Sequence, residues 1–250
     1  MPNYVYNIIH ATGDKDEVKR MMDAVTTMTE EGIPCFDFNK LIPMPEELMV
    51  TNDGSFRIRD HINHYLTMVN PNTPDYDMGF QKLSDEEFGA LYKALCKYYN
   101  QENSHLLNCY MPAPNAEEAQ QGDKLAHNIL NHGDPTWYEW SIKHWGTKWN
   151  AFYPTPADEK TLSFCTAWAS PIPIVDKLAE MFPSLEFEHR WADENYGCNL
   201  GRSTYKNGEF VDGYSPEECT EEAYEFAAEV FGYDPHAEEP TEDNDEQPEM

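Results

Sequence analysis

Between Leu185 and Trp191 the chain alternates strictly: Leu185, Phe187, His189 and Trp191 point one way, and Glu186, Glu188 and Arg190 the other. A two-residue period puts one face on a core and the other in water, so this segment must be a half-buried antiparallel strand. Its neighbours extend the constraint. Residues Tyr196 to Tyr205 and Glu209 to Val211 flank Asn207-Gly208, a dipeptide suited to the tight turn of a hairpin. Upstream, Thr161 to Trp168 alternates with Leu162, Phe164, Thr166 and Trp168 on one face, and Ile174, Val175, Leu178, Met181 and Phe182 mark an amphipathic helix entered through Pro171 and Pro173.

The beginning of the chain repeats this order. Asn3 to Thr12 clusters aromatic and β-branched residues as a strand does, and after Gly13 the positions Val18, Met21, Met22, Val25 and Met28 recur at helical spacing until Gly32. Cys35 to Ile42 reads as another strand, stopped by Pro43 and Pro45. Two split βαβ halves of this kind predict an α+β fold: a ferredoxin-like antiparallel sheet with helices on one face.

The expected organisation is a first half over 1–45, a helical insertion over 46–133, a second half over 134–214, an acidic helix over 215–232 and a disordered acidic tail over 233–250. Within the insertion, Ile62, Tyr65, Leu66 and Val69 form one apolar face, and Phe88, Leu91, Tyr92, Leu95 and Tyr99 form another. Ser84 with Glu87 has capping-box register, and Asn115 with Glu118 repeats it. Asp134-Pro135 predicts the start of a short helix to Trp145, with Gly146 as its stop.

Charge narrows the function. The chain carries 17 basic and 46 acidic residues, a formal −29, which repels nucleic-acid phosphates and anionic membranes and attracts basic partners. No apolar run approaches the roughly 20 residues of a membrane span, and the first residues do not read as a secretory signal. A cytoplasmic location is expected. The six cysteines have no paired short spacing, which excludes zinc knuckles and suits free, largely buried thiols.

Several segments together resemble the YubB-type ferredoxin-like family of phage and plasmid proteins: Trp137-Tyr138-Glu139-Trp140, His144 to Ala151, Thr166 to Pro173, the opening Met1-Pro2-Asn3 and Phe38 to Leu48. The resemblance covers most of residues 1 to 215 and leaves the acidic helix and tail outside it. It implies the fold and a mobile-element origin, and no catalytic residues.

No nucleophile elbow or phosphate-binding glycine loop is present, and no catalytic residues or cofactor are expected. His61 and His64, with Asp60 adjacent, would need further metal ligands that the spacing does not supply, so no metal is expected; exposed polar residues on an amphipathic helix explain the pair. Trp145, Lys148, Trp149 and Trp168 have two readings: packing of a short helix on the sheet, or a pocket for a small ligand or peptide.

The carboxyl end is the sharpest candidate. From Tyr214 onward there are 14 acidic residues and no Lys or Arg. A helix from Ser215 would place Cys219, Ala223, Phe226, Ala227 and Val230 on one side and Glu218, Glu221, Glu222, Glu225 and Glu229 on the other. Carboxylates three or four residues apart rise about 5–6 Å along the axis. Such a face is either simply solvated or an array that occupies a cationic DNA-binding groove. The expected function is therefore that of a non-enzymatic interaction protein, engaging a basic surface of a host protein.

Overall fold

The computed structural model describes residues 2–30, 32–50, 54–99 and 113–233. They form two compact units, one from residues 2–41 with 149–233 and the other from Ile42–Lys148. The acidic tail expected over 233–250 lies, beyond Tyr233, outside the described residues, as does Cys109.

The first unit is built on a five-stranded antiparallel sheet in the order β4-β1-β5-β6-β7. Strand β1 (Tyr4–Thr12) lies between β4 (Thr161–Ala167) and β5 (Glu186–Asp193), antiparallel to both. Because β4 and β5 run the same way with helix α6 (Ile172–Met181) between them in sequence, β4-α6-β5 is a βαβ unit split by β1. This is a ferredoxin-like arrangement, with one of the two expected split βαβ halves completed within the sheet. Strands β6 (Gly201–Lys206) and β7 (Glu209–Tyr214) extend the sheet as a hairpin turned at Asn207 and Gly208, both at positive φ.

The face bearing Val5, Asn7, Ile9 and Ala11 is buried. Phe187 and His189, paired with Ala11 and Ile9, share it. Tyr205, opposite Phe187 on β6, also lies there and donates its hydroxyl to Asp176 of α6 at 2.8 Å, which fixes α6 on this side. Helix α1 (Lys15–Val25) lies beside the end of α6, with the Arg20 guanidinium 5.4 Å from the Phe182 ring centroid.

The first βα half is less regular than its sequence suggests. Helix α1 stops at Val25 rather than running through Met28, because Thr26 is extended, and Thr26–Met28 (β2) pairs with Pro34–Phe36 (β3). The strand expected over Cys35 to Ile42 lasts only to Phe36. A 3-10 turn at Phe38–Lys40 follows, capped by the Asp37 side chain.

The second unit is helical: α2 (Ser55–Val69), α3 (Asp85–Tyr98), α4 (Ala116–His132) and α5 (Trp137–Trp145). Its core joins Ile58, Ile62, Leu66 and Val69 of α2 to Leu91 and Leu95 of α3 and Leu125, Ala126 and Ile129 of α4. The capping box at Ser84 and Glu87 is formed. Helix α5 begins two residues later than expected: Thr136 is its cap, while Asp134 is buried and paired with Lys143 at 3.2 Å.

One polar group sits at the centre of the buried face of the sheet. His189 is fully buried; its Nε2 lies 3.1 Å from Asn7 Oδ1 and its Nδ1 3.5 Å from Ser203 Oγ. The Asn7 amide already donates to Val5 O and Thr166 Oγ1, so its oxygen accepts and the network assigns the ring proton to Nε2. Burial pushes the His189 pKa down to about 3. An unfolded histidine titrates near 6.5, so as pH falls from there toward 3 the unfolded chain binds a proton that the folded one refuses, and stability falls with it. Between pH 7 and pH 5 this histidine should cost about 2 kcal/mol of stability. Urea unfolding at the two pH values measures the loss, which His189→Gln should largely remove.

Candidate functional site

Helix α7 (Glu221–Phe231) is shorter than expected. Ser215 does not cap it: the Ser215 hydroxyl donates to Leu200 O at 2.7 Å, Cys219 adopts a positive φ of 61°, and Thr220 caps by accepting from Ala223 N. Glu218 is therefore outside the helix. Its carboxylate accepts the Asn199 backbone N–H at 2.8 Å, tying the approach to α7 onto the turn between β5 and β6.

Apolar packing on the sheet holds α7 in place. Ala223, Ala227 and Val230 are buried against Ala192 and Leu200, with Tyr6, Ile8, Tyr196, Phe226 and Phe231 around them. Tyr6 and Ile8 alternate with Val5, Asn7 and Ile9 along β1, so α7 covers the side of the sheet opposite to α6. Tyr196 stacks on Tyr224 with ring centroids 5.6 Å apart, and its hydroxyl donates to Tyr224 O. Gly197 permits that stack: a Cβ there would lie 2.4 Å from the Tyr224 ring. Gly232 ends the helix in the left-handed conformation.

With the apolar side fixed, the glutamates have a defined direction. At about 100° per residue, Glu221, Glu222, Glu225 and Glu229 fall within an arc of about 100°, and all four are exposed. Two have neighbours on the sheet side. Arg190 donates to Glu229 at 2.9 Å, and the Tyr214 hydroxyl to Glu222. The first offsets an unfavourable carboxylate in the last turn, where the helix dipole is negative. Hydrogen bonding to Glu222, followed by burial, raises the Tyr214 pKa.

The tryptophan positions are placed differently from one another. Trp145 is a core residue of the helical unit, its indole N–H donating to Ile42 O at 2.9 Å and its ring edge-on to Trp140 at 5.6 Å. Lys148 belongs to the same unit, with its ammonium 5.8 Å from the Tyr138 ring centroid. In the sheet unit, Trp149 is partly exposed and meets Phe152 edge-on at 6.0 Å. Trp168 departs from the alternation expected of it. Strand β4 ends at Ala167, and Trp168 takes φ 71°, leaving its ring 44% exposed.

The structure also gathers groups that the sequence leaves apart. Cys198 and Cys219 bring their sulfurs to 3.4 Å, whereas Cys165 is held as a thiol by burial, which pushes its pKa up to about 11. In the helical unit, Asp60, His64 and Glu118 place one ligand-type atom each within 4.8 Å of one another. His61 Nδ1 lies 2.5 Å from Glu118 Oε2. These histidines are not the exposed pair expected: His61 is 6% and His64 9% exposed.

Glu118 is the residue that sequence reasoning misses here. Asn115 caps α4 by accepting from Glu117 N and Glu118 N, but the Glu118 side chain does not complete a capping box; it turns to His61 and Arg57 of α2. Burial raises its pKa, but His61 and Arg57 outweigh burial and hold it below the ordinary carboxylate range. The capping register in the sequence shows where Glu118 begins a helix and not which helix it faces.

The split βαβ sheet with its added hairpin places the first unit in the ferredoxin-like class of α+β folds. Residues 144–234 match the family model described as the ferredoxin-like domain in Api92-like protein. That match runs through α7, so the acidic helix falls inside the recognised segment rather than beyond it. Among solved structures, the chain is similar to protein api92 from Yersinia pseudotuberculosis at 13% identity and a TM-score of 0.39, over 88% of this chain and 100% of that one. No curated protein matches. Among the described residues, no helix is long and apolar enough to cross a membrane.

Proposed function

We propose that this chain is a non-enzymatic binding protein whose α7 carboxylates engage a basic, nucleic-acid-binding surface of another protein. One observation supports the reading above the rest: four exposed glutamates occupy a single arc of a helix whose opposite side is locked into the sheet by buried residues. A carboxylate array on a docked helix meets a cationic cleft without first being ordered, so little of its electrostatic attraction is lost to entropy. The net charge of −29 steers such a partner toward it at long range. Kinship with phage and plasmid proteins, as the tryptophan motifs imply, would make the partner a host protein and the chain a counter-defence inhibitor acting as a DNA mimic.

Capture from a bacterial lysate on the immobilised chain tests the reading when three arms are compared. Retention is expected at low salt. It should be lost as salt shortens the screening length from about 10 Å at 0.1 M to about 3 Å at 1 M. Heparin, a polyanion that competes for a nucleic-acid cleft, should release the captured protein. A partner retained through both treatments would contradict the proposal.

A further inference from the structure

We infer that Asp60 and His64 of α2, together with Glu118 of α4, form a binding site for a divalent first-row transition-metal ion. The site lies in the helical unit and is independent of the acidic helix. One imidazole and two carboxylates are donors that zinc accepts, at about 2.0–2.2 Å from each donor atom, with water in the fourth position of a four-coordinate site. Asp60 and His64 stand one turn apart on α2, and a helical side chain leans toward the amino end, which carries His64 over Asp60.

Helix α4 supplies the remaining donor because it approaches α2 closely. A Cβ at Gly122 would lie 1.9 Å from His61 O and 2.9 Å from Tyr65 Cβ, so only glycine allows this approach. Glu118, one turn before Gly122, is thereby set against His61. The three atoms from Asp60, His64 and Glu118 already lie within 4.8 Å. Turning the two carboxylates about their terminal torsions, which are broad, draws them onto a common ion.

Burial adds the decisive point. His64 is nine-tenths buried, and its Nδ1 has no hydrogen-bond partner among the described residues. Leaving a buried ring nitrogen unsatisfied is costly, and a metal ion is a partner that satisfies it. Beside the cluster, a cavity of about 230 Å³ lined by Arg57, His61, Glu118 and Gln121 gives a route for the ion and room for a water ligand. Arg57 holds the cationic position, with its guanidinium 3.3 Å from Glu118 and 3.5 Å from Asp60. Its side chain is about half exposed, so it can swing into solvent as an ion enters.

The test is zinc titration of the full chain by calorimetry at neutral pH, with cobalt substitution read by visible absorption. One ion per chain is expected, with the intense bands of tetrahedral cobalt. His64→Ala and Glu118→Gln should each weaken binding by at least about tenfold. Arg57→Gln should tighten it, the opposite of what damage to a mere ion-pair network produces. His127→Ala, which removes the exposed His127–Asp123 pair, should leave affinity unchanged. Absence of zinc binding, or binding indifferent to His64→Ala and Glu118→Gln in variants with unaltered circular dichroism, overturns the assignment. If those two fail to fold, the Arg57→Gln result decides: unchanged or weaker binding overturns it.

Discussion

Exchanging Glu218, Glu221, Glu222, Glu225 and Glu229 together for glutamine should weaken capture of a basic partner by about a hundredfold or more, equivalent to about 2.7 kcal/mol, while leaving the fold intact. The size follows from removing several charges that meet cations across one interface, where close pairs couple by roughly 1.5 kcal/mol or more each. Stability should barely move. The Arg190–Glu229 pair is solvent-exposed and contributes at most about 1 kcal/mol, and removing a negative charge from the carboxyl end of α7 relieves an unfavourable dipole contact. Glutamine at 218 can still accept the Asn199 N–H. Within the set, Glu221→Gln with Glu225→Gln should account for the larger share, since Glu229, Glu222 and Glu218 also serve Arg190, Tyr214 and Asn199 inside the chain. Affinity by calorimetry and melting temperature by circular dichroism, measured on the same samples, separate the two effects.

The second large effect belongs to Gly122. In the middle of a helix, alanine ordinarily gains about 1 kcal/mol over glycine. Gly122→Ala should reverse that sign and destabilise the helical unit by about 3 kcal/mol or more. The added methyl would lie 1.9 Å from the His61 carbonyl oxygen, and that obstacle is backbone, which cannot rotate away. The helices must separate, opening the Ile62, Leu66, Leu125 and Ala126 core and drawing Glu118 away from His61. Gly89 is the internal control. It lies on the exposed side of α3 with nothing within 4 Å of an added Cβ, so Gly89→Ala should be neutral or stabilising by up to about 1 kcal/mol. Urea unfolding of the two variants beside the parent chain reads both signs.

The elements most legible in the sequence are those whose pattern is local. The alternation through Phe187 and His189, the Asn207-Gly208 turn and the Ser84–Glu87 box each specify their structure within a few residues, and each is present. Where the outcome depends on a single backbone torsion, the pattern is silent. Trp168 continues an apolar alternation in sequence, yet its φ of 71° ends β4 and turns the ring outward. Cys219 does the same to the start of α7, moving the cap from Ser215 to Thr220 and taking Glu218 off the helix. Contacts between distant segments are hidden altogether. Composition marks Glu221 to Glu229 as acidic, but their direction is set by Ala192, Leu200 and Tyr196 across the sheet. Likewise, nothing near His61 and His64 announces Glu118, whose place depends on a glycine in a different helix allowing two backbones to touch.

Backbone amide exchange across α7 in the free chain reads whether the helix stays docked, without which a carboxylate array is of no use to a rigid cleft. The amides from Glu225 to Val230, inside a helix packed on Ala192 and Leu200, should be protected nearly as well as those of β1 and β5. Exchange in this segment at the rate of an unstructured peptide would contradict a docked array.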